Sequence, residues 1–171
     1  MNDSAAAQLT PLTEDDFAAL APLARTIWRA HYGAMIDVRQ VDYMIDQRFA
    51  PDHLRRYIGQ NDRWFDVLRV DGAPIGYCSY MLTAATSEMK LEQLYLLQDF
   101  HGRGLGGLMI RHVEAKTRTL GCNVVMLQVA RFNTGSIAVY RKSGFSVRGE
   151  VLIDIGEGFV MDDFVMEKRL V

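Results

Sequence analysis

The sequence predicts a mixed α/β fold, a central and mostly antiparallel sheet flanked by helices, and three observations predict it. The first part of the chain places apolar residues at helical spacing. The middle holds short strand-like segments and then runs strand, glycine-rich turn, helix, strand, helix from Leu94 to Phe145. Two further strand-like segments close the chain around Gly156-Glu157-Gly158. Hairpin-joined strands together with one strand–helix–strand crossover make a mixed sheet, and the crossover is expected to be right-handed.

The elements follow in order. Thr13 precedes Glu14-Asp15-Asp16, a helix start with an N-cap and acidic first turn. Phe17, Leu20, Leu23, Ala24, Ile27 and Trp28 keep helical spacing, so a helix runs to about Ala30. Val41, Met44, Ile45 and Phe49 share one stripe of a second helix from Val38 to Phe49, and Pro51 starts a short third through Ile58. These helices carry Trp28, His31, Tyr32 and Tyr43, read chiefly as packing residues, one of which can line a substrate pocket. Strands are predicted over Trp64–Val70 and Pro74–Leu82, joined by the hairpin turn Asp71-Gly72-Ala73, and again over Met89–Leu97. Leu105, Leu108, Met109 and Val113 form one helical face that Gly121 caps. Val124-Val125-Met126-Leu127 lacks alternation, as a strand covered on both faces should. A helix over Thr134–Lys142 and strands over Phe145–Ile153 and Phe159–Met166 complete the chain.

At 171 residues the sequence fits one domain, residues 1–171, with residues 1–10 read as a frayed tail. Hydrophobic residues make up 49% and charged residues 23%, the balance of a soluble globular protein, and a net charge of −2 gives no reason to expect nucleic acid as a partner. No apolar run reaches the roughly 18 residues of a membrane span, and the N-terminus lacks the basic start and apolar core of a signal peptide. Cys78 and Cys122 have neither metal-ligand spacing nor a disulfide framework, so both are expected to be buried thiols in a reducing cytoplasm, with no metal.

The turn Phe100-His101-Gly102-Arg103-Gly104-Leu105-Gly106-Gly107 is the most informative local feature. Glycines where a strand ends and a helix begins let backbone approach a ligand, and a helix N-terminus offers free N–H groups to an anion such as a pyrophosphate. The spacing formally matches a dinucleotide fingerprint, but that pattern needs an acid about twenty positions on, at the end of the next strand. Here that strand ends in Leu127-Gln128-Val129-Ala130, without one. A nucleotide P-loop is excluded because no Gly-Lys-Ser/Thr ends the turn. A purely structural tight turn is the remaining alternative.

A second motif, Asn133-Thr134-Gly135-Ser136-Ile137-Ala138-Val139-Tyr140-Arg141-Lys142-Ser143-Gly144-Phe145, resembles the Asn-x-x-Ala-x-x-x-Tyr-x-x-x-Gly-Phe signature of the GNAT superfamily of N-acetyltransferases. The glycine turn resembles that family's Gln/Arg-x-x-Gly-x-Gly/Ala acetyl-CoA loop, and the two stand in the family's order and separation. His101 departs from the family's Gln or Arg, and Ser136 from its Ala. The resemblance implies a sheet of about seven strands, splayed at the strand that binds CoA, and acetyl-CoA as co-substrate. It implies that Leu94, Tyr95 and Leu96 lend their backbone to pantetheine and that His101, Gly102, Arg103, Gly104, Leu105, Gly106 and Gly107 take the pyrophosphate. It places Asn133 and Ser136 beside the cofactor and makes Tyr140 the general acid for the departing thiolate, where the bland alternative is a wall of the CoA channel.

The base is less direct. Some relatives carry Glu five positions before the motif's Asn, where this chain has Gln128, which cannot accept a proton at neutral pH. Glu92 is the candidate instead, because it shares side-chain parity with Leu94 and Leu96 on one strand. An exposed strand carboxylate with a water relay is the alternative. The layout also resembles PaiA-type bacterial polyamine acetyltransferases in Ile27-Trp28-Arg29-Ala30-His31-Tyr32, Leu91-Glu92 and Met161-Asp162-Asp163-Phe164-Val165-Met166-Glu167-Lys168. That implies a small amine acceptor such as a polyamine, which Asp154, Glu157, Asp162 and Asp163 would attract. A protein N-terminal or lysine acetyltransferase and a non-catalytic acetyl-CoA-binding module are the competing functions, and a homodimer is left open.

Overall fold

A computed structural model describes residues 6–33 and 35–171. The chain forms β1 (Gln8–Pro11), α1 (Phe17–Tyr32), α2 (Val38–Arg48), α3 (Pro51–Arg55), β2 (Arg63–Val70), β3 (Ala73–Leu82), β4 (Glu88–Leu96), α4 (Leu105–Thr119), β5 (Val124–Ala130), α5 (Thr134–Lys142), β6 (Ser146–Gly156) and β7 (Phe159–Arg169). One seven-stranded sheet takes the order β1-β2-β3-β4-β5-β7-β6. The β4–β5 pair is parallel, whereas β1–β2, β5–β7 and β6–β7 are antiparallel. The mixed, mostly antiparallel sheet flanked by helices is therefore present. The last hairpin folds so that β7, not β6, lies beside β5.

The residues cluster into two compact units, one of 1–80 with 93–109 and the other of 81–92 with 110–171. In the first, α1 and α2 bury the apolar stripes read from the sequence, with Leu20, Ala24, Ile27, Trp28, Val41, Met44, Ile45 and Phe49 in the core. Trp28 is wholly buried, and its indole N–H donates to the Tyr77 hydroxyl on β3 at 2.8 Å. A buried polar atom stays partnered because leaving it unpaired costs about 1–3 kcal/mol. Helix α3 is shorter than predicted. After Arg55 the chain tightens into bonds from Tyr57 N–H to the Leu54 carbonyl and from Ile58 N–H to the Arg55 carbonyl.

The predicted frayed tail needs correction at its inner end. Gln8 to Pro11 pair with Arg69 to Asp66, so this segment is an edge strand, while residues 1–5 of that tail lie outside the described residues. The anchor is a side-chain network that no periodicity reveals. Asp16, 9% exposed, accepts from the Thr13 N–H at 3.0 Å and from the Arg69 guanidinium. Burial pushes the Asp16 carboxyl up, but Arg69 and the Thr13 amide outweigh it and hold it below the ordinary carboxylate value. A depressed carboxylate stabilises the fold above its unfolded pKa, near 4, and that contribution is lost as pH falls through its lower folded value. Asp16→Asn is therefore expected to destabilise the protein by roughly 1–3 kcal/mol at neutral pH. In urea denaturation, the gap to the unsubstituted protein should close below about pH 4.

In the second unit, α4 ends as a Schellman motif at Gly121: Gly121 N–H donates to the Arg118 carbonyl and Cys122 N–H to that of Thr117. Cys78 is buried as expected, but Cys122, placed by this cap, is only partly so. Strand β5 is largely buried along its length, with Val125, Met126, Leu127, Val129 and Ala130 in the core. Lys168 on β7 donates to Glu114 on α4 at 2.6 Å, and Glu114 is only 6% exposed. Both closing strands run longer than predicted because their two-residue loop, Glu157-Gly158, extends the ladder to Gly156 and Phe159.

Candidate active site

The glycine turn is built as its sequence suggests, with one refinement. Gly102 and Gly104 have φ of +76° and +77°, values that strain any other residue, so the turn itself explains both. Gly106 is different. It lies inside α4, its φ is not left-handed, and a Cβ built there meets nothing within 4 Å beyond its chain neighbours and the helix's own backbone. Glycine in a helix is about 1 kcal/mol less favourable than alanine, and nothing in the protein demands it at this position. The first bond of this helix end runs from Leu108 N–H to the Gly104 carbonyl at 3.0 Å. The amides of Leu105, Gly106 and Gly107 thus precede the helical ladder, the arrangement that binds anions. An open cradle, lined by backbone donors and lacking a side chain without steric cause, fits a pyrophosphate.

Around this turn, His101 is exposed and its Nε2 donates to the Leu96 carbonyl at 3.0 Å, while Arg103 lies over the Phe100 ring at 4.9 Å. Leu94, Tyr95 and Leu96 end β4. A Cβ on Gly76 of β3 would stand 2.5 Å from the Tyr95 carbonyl oxygen, so β3 and β4 approach closely there. The sequence held the signal, a glycine inside a strand, without saying which strand came close. The resemblance gives Tyr95 a main-chain role only, and its side chain has a contact of its own. Its hydroxyl shares a hydrogen bond of 2.8 Å with that of Tyr32, in a cluster with Trp28 and His31. Sequence reasoning missed this pair because its members are far apart in the chain.

In the second unit, Asn133 is buried and caps α5, its Oδ1 accepting from Ser136 N–H at 3.3 Å. Tyr140 is partly exposed, with its ring edge-on to Phe145 at 5.7 Å. The Ser143 and Phe145 amides both donate to the Tyr140 carbonyl. Glu92 is half-buried, in register with the half-buried Glu88, Lys90, Leu94 and Leu96 and out of register with buried Met89, Leu91 and Gln93. The alternation holds through Gln93; beyond it Leu94, Tyr95 and Leu96 are all half-buried. Gln128 accepts from Lys90 Nζ at 3.4 Å, a hydrogen-bonding role in place of titration.

The four acids considered for attracting a polycation do not form one open patch. Asp163 is 5% exposed, Asp162 pairs with Arg131, and Asp154 accepts from the Gly156 amide at 2.8 Å. Glu157 occupies the tight loop between β6 and β7. Antiparallel pairing sends neighbouring residues to opposite faces, so adjacent Asp162 and Asp163 are parted. Among the described residues no group of three or more His, Cys, Asp or Glu could hold a metal ion, and no helix is long and apolar enough to cross a membrane.

Comparison with known proteins agrees with this geometry. The chain is 24% identical over 170 residues to an uncharacterized N-acetyltransferase of Lactobacillus delbrueckii subsp. lactis, covering 96% of this chain and 98% of that one. It is 27% identical over 157 residues to an uncharacterized N-acetyltransferase of Mycobacterium tuberculosis strain H37Rv, covering 92% and 97%. Its fold is similar to that of the PaiA N-acetyltransferase of Thermoplasma acidophilum, solved in complex with coenzyme A, with a TM-score of 0.81 and 22% identity over 96% of this chain and 99% of that one. The model of the acetyltransferase (GNAT) family matches residues 24–145, which take in both the glycine turn and the Asn133–Phe145 motif. With most of its length matched, this chain belongs to the acetyltransferase (GNAT) family and is an acyltransferase.

Proposed function

We propose that the protein transfers the acetyl group of acetyl-CoA to a primary amine of a small molecule, with a polyamine as the first acceptor to test. The observation that carries this reading is the open space at Gly106 beside the start of α4, which supports an anionic cofactor held there by backbone donors. Bound there, acetyl-CoA would supply an activated thioester. The family match runs through both compact units, which supports reading the chain as one N-acetyltransferase domain. The relation to a PaiA structure supports the polyamine choice, while the dispersal of Asp154, Glu157, Asp162 and Asp163 argues that attraction of a polycation does not rest on that hairpin.

In this reading the backbone of Leu94, Tyr95 and Leu96 pairs with the pantetheine amides, beyond the stretch Glu88 to Leu91 that pairs with β5. His101, Gly102, Arg103, Gly104, Leu105, Gly106 and Gly107 hold the pyrophosphate, and Asn133 and Ser136 flank the cofactor. Tyr140 donates a proton to the departing thiolate, a task suited to a phenol of pKa near 10. Alkyl ammonium groups also have pKa near 10, so the acceptor must lose a proton before or during attack. Glu92 is the proposed base.

The test of the function is thiol release from acetyl-CoA against spermidine, an aminoglycoside, free lysine and an unblocked peptide. Turnover with the small amines supports the reading. Turnover with the peptide alone shifts it to a protein acetyltransferase, and binding without turnover makes the chain a regulatory module. Glu92→Gln should lower kcat most near neutral pH and recover toward higher pH, where free amine is abundant. An unchanged pH–rate profile would show that Glu92 is a bystander.

A further inference from the structure

We propose that Gly76 on β3 is a positioning residue for the cofactor. By admitting the Tyr95 carbonyl into the space of its missing side chain, it holds β4 so that Leu94 and Leu96 turn their backbone toward pantetheine. This rests on the acetyl-transfer reading above and narrows it. Leu94 and Leu96 would touch the cofactor, whereas Gly76 touches neither cofactor nor acceptor and acts only through Tyr95.

The conformation of Gly76 does not call for glycine. Its φ is not left-handed, unlike that of Gly72 in the turn before β3, at +79°. Glycine inside a strand loses more backbone freedom on folding than any other residue and packs no side chain, so its presence in the buried part of β3 asks for a cause. Space supplies one. A Cβ at this position would stand 2.5 Å from the Tyr95 carbonyl oxygen, 3.2 Å from Leu96 Cδ1 and 3.3 Å from Leu96 Cα. The shortest of these contacts is to a backbone atom, which cannot rotate aside as a side chain can. A Cβ also projects from the face of a sheet and not toward the neighbouring strand. An oxygen in that place means that β4 rises out of the plane of β3 at Tyr95.

Which backbone groups face which side follows from alternation along a strand. Leu97 N–H donates to the Ile75 carbonyl at 2.9 Å, so Leu97 addresses β3, as does the Tyr95 carbonyl two residues earlier. Leu94 and Leu96, one residue out of phase, address the opposite side. The Leu96 carbonyl agrees with this, since it accepts from the His101 imidazole at 3.0 Å, a donor that does not come from β3. That carbonyl is open to an N–H from this side, and a pantetheine amide is a donor of the same kind. A methyl group at Gly76 would push the Tyr95 carbonyl off β3 and carry Leu94 and Leu96 with it. Hydrogen bonds weaken steeply with misalignment, and a misplacement of about 1 Å can cost about 10²-fold in rate.

The experiment compares the full chain with its Gly76→Ala variant. Calorimetry gives the dissociation constants for acetyl-CoA and for ADP, which carries the pyrophosphate without the pantetheine arm. Amide hydrogen exchange of the unsubstituted protein is followed by NMR with each of the two ligands. The expected result is a loss of acetyl-CoA affinity of about 10-fold or more, as for two weakened hydrogen bonds, with ADP affinity unchanged. Acetyl-CoA, and not ADP, should slow exchange at the Leu94 and Leu96 amides and leave the Tyr95 amide as it was. Undiminished acetyl-CoA affinity in Gly76→Ala would overturn the proposal. So would equal losses for acetyl-CoA and ADP, the mark of a residue that only supports the fold. If Gly76→Ala does not fold, the exchange pattern decides alone. Slowing at Leu94 and Leu96 without Tyr95 then supports the proposal, and any other pattern overturns it. Failure of the unsubstituted protein to bind acetyl-CoA would instead refute the acetyl-transfer reading, and this proposal with it.

Discussion

Gly106→Leu is expected to reduce acetyl-CoA affinity by at least about 10²-fold while leaving the melting temperature unchanged or higher. The two halves of this expectation have separate causes. A leucine in a helix is more favourable than glycine by roughly 0.7–1 kcal/mol, and nothing outside the helix's own backbone and the chain neighbours lies within 4 Å of the Cβ position to oppose it. The same side chain would fill the space in front of the free amides at the start of α4, where the pyrophosphate is proposed to lie. Loss of two hydrogen bonds to an anion, at about 1.5–3 kcal/mol each, already accounts for a 10²-fold effect. Gly104 would be a poorer choice, since its φ of +77° strains a side chain whether or not a ligand is present. Calorimetric titration with acetyl-CoA, paired with thermal unfolding, checks both halves. Full affinity in the leucine variant would show that the cofactor does not use this helix end.

Tyr140→Phe is expected to lower kcat by about 10²–10⁴-fold, the usual range for loss of a general acid or base. Acetyl-CoA affinity should change little, because the edge-on contact with Phe145 at 5.7 Å belongs to the ring and not to the hydroxyl. The backbone of this residue is also independent of its hydroxyl, since its carbonyl is held by the Ser143 and Phe145 amides. The loss should be smaller with a thioester whose thiol is more acidic than that of CoA, because a better leaving group needs less help from an acid. Steady-state kinetics with both thioesters tests this. Equal falls in affinity and turnover would assign Tyr140 to the channel wall.

Much of this was legible before any tertiary contact was known. The stripes of α1 and α2, the glycine turn, the cap at Gly121 and the unalternating β5 follow from local rules: helical spacing, left-handed turns and burial on both faces. The pairing of the glycine turn with the Asn133–Phe145 motif was enough to indicate the family, because each is a contiguous run whose spacing is set by one backbone turn or helix.

Other features were decided only when distant segments met. Whether Gln8–Pro11 frays or pairs depends on Asp66–Arg69, more than fifty positions away, and on the Asp16–Arg69 bond. Gly106 separates from Gly102 and Gly104 only once dihedral angles are seen, since the three are alike as letters and all face open space. The acids near the C-terminus look like one patch in the sequence, yet strand pleating buries Asp163 and an arginine takes Asp162. Tyr32 and Tyr95 carry no mutual signal in the chain and share a hydrogen bond only because α1 and β4 bring two hydroxyls to 2.8 Å. The sequence by itself determined the local elements, the glycine turn and the family, since those depend on interactions within a few residues. The tertiary structure decided which polar groups are partnered, buried or left facing open space, because burial and hydrogen bonding are properties of what the rest of the chain brings alongside.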